Sequence, residues 1–135
     1  MKSATTLLMS LVVLGAVVGL GGCSNNSNPI APFQPEVINH ADAFQFQITH
    51  AKNVTTALNY SWVNSGTRAT INHSTSTTSG TASVTLFDAA AQQVYTSPLL
   101  ASGTQQSAVG VSGTWTVRIV FNNYSGSANF RVEKL

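Results

Sequence analysis

The sequence predicts an all-β fold, an antiparallel β-sandwich of seven or eight strands, with a jelly roll as a close variant. Three observations predict it. Beyond residue 22 the chain is poor in Leu, Glu, Lys and Arg and rich in Ser, Thr, Val, Asn and Gly, a balance that favours strands and turns over helices. Apolar residues recur at every second position in several runs, which is the period of a half-buried strand. Those runs are short and are separated by clusters of Asn, Ser and Gly, each a turn former. No fixed-period repeat is present, which excludes a solenoid or propeller.

In chain order, residues 1–22 come first. Lys2 precedes an apolar run from Leu7 to Leu20, and Gly21 and Gly22 follow it. A basic start, an apolar middle and small residues before a cut site make a secretory signal peptide. The run is too short for a transmembrane helix, which needs about 20 apolar residues, and it carries Ser10, Gly15 and Gly19. Cys23, the only cysteine of the chain, closes Leu20-Gly21-Gly22-Cys23. These four residues resemble the lipobox of bacterial lipoproteins. The resemblance implies acylation of the Cys23 thiol, cleavage before it, and a membrane partner held through the lipid. Ser24 resembles the outer-membrane choice in a cell with two membranes. Acylation also explains a lone thiol in an exported, oxidising setting. Ser24 to Pro35 then reads as a flexible tether, rich in Asn, Ser and Pro, that spans at most about 40 Å. Residues 36–135 form the expected domain.

Within that domain, Phe44, Phe46 and Ile48 alternate with Gln45, Gln47 and Thr49, and Leu58, Tyr60 and Trp62 form the next row. Asn64-Ser65-Gly66 is a turn. Ala69 and Ile71 mark a weaker strand, Ser74 to Gly80 a polar loop, and Ala82, Val84 and Leu86 a further strand. Val94 to Thr96 is a short strand limited by Pro98, and Gly103 to Val109 a loop entering a strand. Trp115, Val117, Ile119 and Phe121 give the strongest alternation, predicted to face inward with Arg118 outward. Asn122 to Gly126 is predicted as a turn, and Phe130 with Val132 as the closing strand. The stretch from Gly110 to Ile119, with Tyr124-Ser125-Gly126 after it, resembles the ends of bacterial pre-peptidase C-terminal and proprotein-convertase P domains. That resemblance implies a β-sandwich module of the kind attached to secreted proteases and adhesive proteins.

Charge bounds the partners. Removing residues 1–22 leaves five basic and four acidic side chains, so the mature chain is close to neutral. Lys52, Arg68, Arg118, Arg131 and Lys134 are scattered, whereas a nucleic-acid surface clusters its bases. Nucleic acid is excluded as a partner. Catalytic or metal chemistry would draw on His40, His50, His73, Asp42, Asp88, Glu36 and Glu133. No zinc or calcium spacing connects them, no Gly-x-Ser-x-Gly elbow occurs, and no cofactor motif is present. The reading is a non-enzymatic binding or structural module of the cell envelope with no cofactor or metal. The alternative is a small envelope hydrolase or metal-dependent enzyme using the His and Asp residues. A third reading is assembly by strand pairing at an open edge. Five Asn-x-Ser/Thr sequons begin at Asn25, Asn53, Asn59, Asn72 and Asn123, and follow from the composition. For a glycan or envelope-protein partner, Tyr124 is the candidate stacking platform, with Asn122 and Asn123 as hydrogen-bonding arms. It is the aromatic enclosed by turn-forming amides and glycine.

Overall fold

Two strands of 22 residues organise the molecule, and their length follows from unbroken β-forming sequence interrupted only by residues that tolerate a kink. The computed structural model describes residues 28–135. Cys23 and the expected signal peptide lie outside the described residues. The strands are β1 (Glu36–His40), β2 (Ala43–Asn64), β3 (Ala69–His73), β4 (Ser76–Phe87), β5 (Gln93–Pro98), β6 (Gly103–Gln106) and β7 (Gly113–Lys134). All pairings are antiparallel.

β2 and β7 pair from end to end, with three register shifts between Ile48 and Thr56. Each shift has its own residue at positive φ: His50 at 52°, Asn53 at 51° and Asn123 at 46°. Asn and His are among the non-glycine types that enter this region most readily. An inserted residue bends and twists a ribbon, so β2 and β7 fold over and serve two layers. The first layer runs β1, β2 (residues 43–48), β7 (residues 128–134), β3, β6. The second runs β2 (residues 54–64), β7 (residues 113–124), β4, β5.

The layers face one another across a continuous apolar core. Phe44, Phe46, Phe130 and Ile71 line one side, and Trp62, Trp115, Ile119 and Phe121 the other, all buried. Phe46 meets Phe121 at 6.1 Å between ring centroids, and Phe44 meets Tyr60 at 5.5 Å. Trp62 and Trp115, directly paired across β2 and β7, pack edge to face at 5.9 Å, a favoured aromatic geometry. Each such ring adds roughly 1.5–3 kcal/mol by leaving water.

The register defines two ends. At the bend end lie residues 28–34, 48–54, 74–81, 99–103 and 122–128. At the loop end lie residues 41–42, 64–68, 88–92, 107–113 and 134–135. Residues 54–64 separate them, about 33 Å at ordinary strand rise.

Most of the expected strands are present, and Trp115, Val117, Ile119 and Phe121 face inward with Arg118 exposed. Five expectations are corrected. The Phe44–Ile48 and Leu58–Trp62 rows belong to one strand, β2. Ser74 to Gly80 is largely the start of β4 and not a loop. Gly103 to Val109 begins with a strand, β6. Asn122 to Gly126 is not a turn but the kinked middle of β7, because its Asn and Gly supply positive φ for bulges within a strand. The expected tether docks from Asn28 onward: Ile30 is buried in the core, and a 3-10 turn at Ala31–Phe33 packs Phe33 against it. β1 carries no buried residue, so it left no apolar row to read.

Candidate functional site

The outer face of the first layer is a continuous polar surface. In each strand of that layer, every second residue points away from the core, and register brings those residues side by side. Gln47 lies opposite Asn129, Gln45 opposite Arg131, Arg131 opposite Asn72, and Asn72 opposite Thr104. Hydrogen bonds tie the rows together. Asn129 Nδ2 donates to Gln47 Oε1 at 3.3 Å, Arg131 donates to Gln45 Oε1 at 3.0 Å, and Thr104 Oγ1 donates to Asn72 Oδ1 at 2.6 Å. Arg131 also faces Glu133 at 3.8 Å. Two shallow hollows flank the Gln45–Arg131 pair. One, of about 260 Å³, is bounded by Ile38, Ala43 and Glu133; the other, of about 250 Å³, by Asn72, Ser74 and Asn129. The face is flat, rich in amides and carries one guanidinium at its centre.

Three of the titratable groups singled out in the sequence, His73, Asp88 and Asp42, are occupied elsewhere. His73 is buried, and its Nδ1 accepts the Leu100 N–H at 3.4 Å. That leaves Nε2–H to donate to Tyr95 Oη at 2.9 Å, and Tyr95 in turn donates to Gln105 Oε1 at 2.6 Å. The relay joins the two layers, and burial pushes the imidazole below its ordinary value. Asp88 is buried at the β4–β5 turn, where its carboxylate accepts the amides of Gln92 (2.8 Å), Val111 (2.8 Å) and Ala90 (3.0 Å). The Gln92 and Val111 amides hold it below the usual carboxylate range against the opposing effect of burial. Asp42 follows β1 at φ 66°. It accepts the Ser65 amide at 2.7 Å, the Ser65 hydroxyl at 2.9 Å and the Lys134 ammonium at 3.0 Å. The Ser65 amide, foremost, and Lys134 lower its carboxyl. Lys134 Nζ is also 3.0 Å from Ser65 Oγ, but it acts there as an ion-pair donor, so the cluster is a lock on the β1–β2 turn.

His40, His50, Glu36 and Glu133 are dispersed along the first layer and its bend. Among the described residues, no three His, Cys, Asp or Glu side chains come together as a metal-holding group.

The residues expected to form a glycan platform are placed differently. Tyr124 has 0% exposure; its ring packs on Phe121 at 5.2 Å and its hydroxyl lies 3.4 Å from the Ser76 carbonyl. Burial raises its phenol above the ordinary value. No ring is presented to solvent there. Asn122 is exposed, while Asn123 is part of a reciprocal clamp across the bulges. Its N–H donates to Thr55 Oγ1 at 2.9 Å, and the Asn53 N–H donates to Ser125 Oγ at 3.0 Å. Two of the Asn-x-Ser/Thr triplets, at Asn53 and Asn123, are thus bulge clamps, each Asn at positive φ and each hydroxyl serving the opposite strand.

The amide face was visible in sequence only as single outward rows, Gln45 with Gln47 and Asn129 with Arg131. Joining those rows needs the β2–β7–β3 order, which alternation does not encode. A scan against models of protein families finds no match to this chain, and a search of curated proteins finds none either.

Proposed function

We propose that the chain is a bacterial lipoprotein anchored to the cell envelope through acylated Cys23, with a non-catalytic β-sandwich as its binding module. The observation that carries this reading is Leu20-Gly21-Gly22-Cys23 after the apolar run from Leu7. In a cell with two membranes, Ser24 favours the outer one. The structural commitment of His73, Asp42 and Asp88 supports a non-catalytic role, since each is saturated by bonds that hold turns and layers together. The amide face offers donors and acceptors in flat rows around Arg131, a surface suited to a neutral, hydroxyl-rich ligand such as a glycan. Weak binding follows from its shallowness, because tight sites are concave and enclosed.

Metabolic labelling with a fatty-acid probe tests the anchor. The wild-type chain takes up label and partitions with membranes, and Cys23→Ser does neither; unchanged labelling of Cys23→Ser overturns the reading. For the module, Gln45→Ala with Arg131→Ala abolishes capture on a glycan array while the melting temperature holds. Equal capture by both proteins removes the amide face as the site.

A further inference from the structure

Cys23 and Asn28 are separated by five residue steps, at most about 18 Å of chain even when fully extended. The fold begins there, because Ile30 is buried and the turn at Ala31–Phe33 is docked beside β2. Whatever holds Cys23 therefore holds the bend end of the sandwich close by. The loop end lies about 30 Å further away.

The chemistry of the bend end fits a lipid surface. Two hollows, of about 410 Å³ and about 390 Å³, share His50 and Lys52. The second is walled by Pro32, Phe33 and Gln34 of the docked segment. The first is lined otherwise by Ser76, Thr78, Ser125 and Ser127 and carries no carboxylate. Ser127 Oγ accepts the His50 N–H at 3.1 Å and Ser125 Oγ accepts the Asn53 N–H at 3.0 Å. A hydroxyl whose oxygen already accepts still has its own proton to donate. Lys52 is exposed and, among the described residues, makes no ion pair. Asp42, Asp88 and Glu133 lie toward the loop end; Glu36, opposite Gln47 at the bend-side end of β1, lines neither hollow. The lining is a set of donors without a competing anion, which is what phosphate oxygens require.

We propose that the bend end is the membrane-facing surface of the domain and that the His50–Lys52 hollow seats the phosphate of an anionic phospholipid headgroup. This rests on acylation of Cys23. The test uses acylated full-length protein in vesicles, with a donor dye on one introduced thiol, Ser79→Cys at the bend end or Ala90→Cys at the loop end. Acylated Cys23 is a thioether and does not take the dye. Vesicles are phosphatidylcholine alone or with added phosphatidylglycerol, and carry acceptor-labelled headgroups. Energy transfer is stronger from Ser79→Cys than from Ala90→Cys, and phosphatidylglycerol raises it. Lys52→Gln lowers the docked-to-undocked ratio on the anionic vesicles about fivefold, and Lys52→Arg retains it. Equal transfer from the two positions in acylated protein overturns the orientation. A phosphatidylglycerol effect that survives Lys52→Gln overturns the headgroup site. A dye-reactive thiol at Cys23 removes the anchor itself, and this inference with it.

Discussion

Replacing Tyr124 separates a buried plug from a surface platform. The ring has 0% exposure, touches Phe121 at 5.2 Å and fills the point where β2 and β7 fold over. Tyr124→Ala removes an entire aromatic side chain from a close-packed interior, a change that costs about 3–5 kcal/mol in comparable cores. Against a typical total of about 5–15 kcal/mol, that is about a fifth of the stability at the least. For a domain of this size, roughly 4 °C per kcal/mol gives a fall of about 12–20 °C in Tm. Tyr124→Phe should behave very differently. It deletes the hydroxyl's 3.4 Å contact to the Ser76 carbonyl, at the outer limit of hydrogen bonding, and its interaction with the Thr77 side chain, so the loss is about 1 kcal/mol. Thermal and urea unfolding followed by tryptophan fluorescence reads both variants. Tyr124→Ala melting with the parent would refute the burial argument. Equal losses in the two variants would shift the cause from ring to hydroxyl.

Three further outcomes follow from the same geometry. Gly126 sits at φ 143°, and a Cβ there would run into the Ser76 carbonyl oxygen of β4; Gly126→Ala should therefore cost more than about 1 kcal/mol, read as a lower urea midpoint. Asp88→Asn puts an NH₂ group where a carboxylate oxygen accepts an amide, so it lowers Tm at neutral pH. The folded carboxyl of Asp88 titrates below its unfolded value, so its contribution is complete above about pH 4 and lost as pH falls; Asp88→Asn flattens that acid limb in a Tm-against-pH series. His73 is held neutral by burial, so the unfolded chain binds a proton first as pH drops below about 6.5. Stability contributed by neutral His73 is thus present above that value and lost below it, and His73→Gln should remove this part of the slope between about pH 7 and pH 5.

Alternation makes the core legible in the sequence. Phe44, Phe46, Trp115, Val117, Ile119, Phe130 and Val132 announce their inward faces by period alone, because a strand buried on one side must repeat every second residue. The bend was misread for a definite reason. Asn122-Asn123-Tyr124-Ser125-Gly126 has the composition of a turn, and composition reports only that positive φ is available. It does not say whether that freedom reverses the chain or inserts a bulge. What separates the two is the partner strand, where His50 and Asn53 carry matching irregularities. β1 escaped notice because none of its residues is buried, so its pairing rests on backbone bonds that leave no side-chain signature. The amide face escaped for a third reason: its rows come from strands up to 86 positions apart in the chain, as with Gln45 and Arg131.

The same topology bears on self-pairing along one weakly charged strand edge. Residues 54–64 of β2 bond to β7 on one side and, among the described residues, have no strand on the other, which exposes a template for a second chain. With only 7% charged residues in the sequence, lysine or glutamate repulsion is scarce along this edge. Geometry takes over that task. The Ser61 carbonyl accepts Asn39 Nδ2 at 2.8 Å, and the Val63 carbonyl accepts the Asp42 N–H at 2.8 Å. Successive outward groups in an antiparallel strand fall on alternate residues, so Asn59 and Ala57 are the next in line. Beyond them the register shifts around Val54 and Thr56 twist the strand away. The edge left open is about four residues, below the six or seven that make a stable cross-strand zipper. A lipid anchor would hold copies of this domain at high effective concentration, where an uncapped edge would pair. Asn39 therefore has a specific job: Asn39→Ala should leave the monomer folded but promote concentration-dependent association on vesicles. Unchanged association would show that the bulges alone suffice to close the edge.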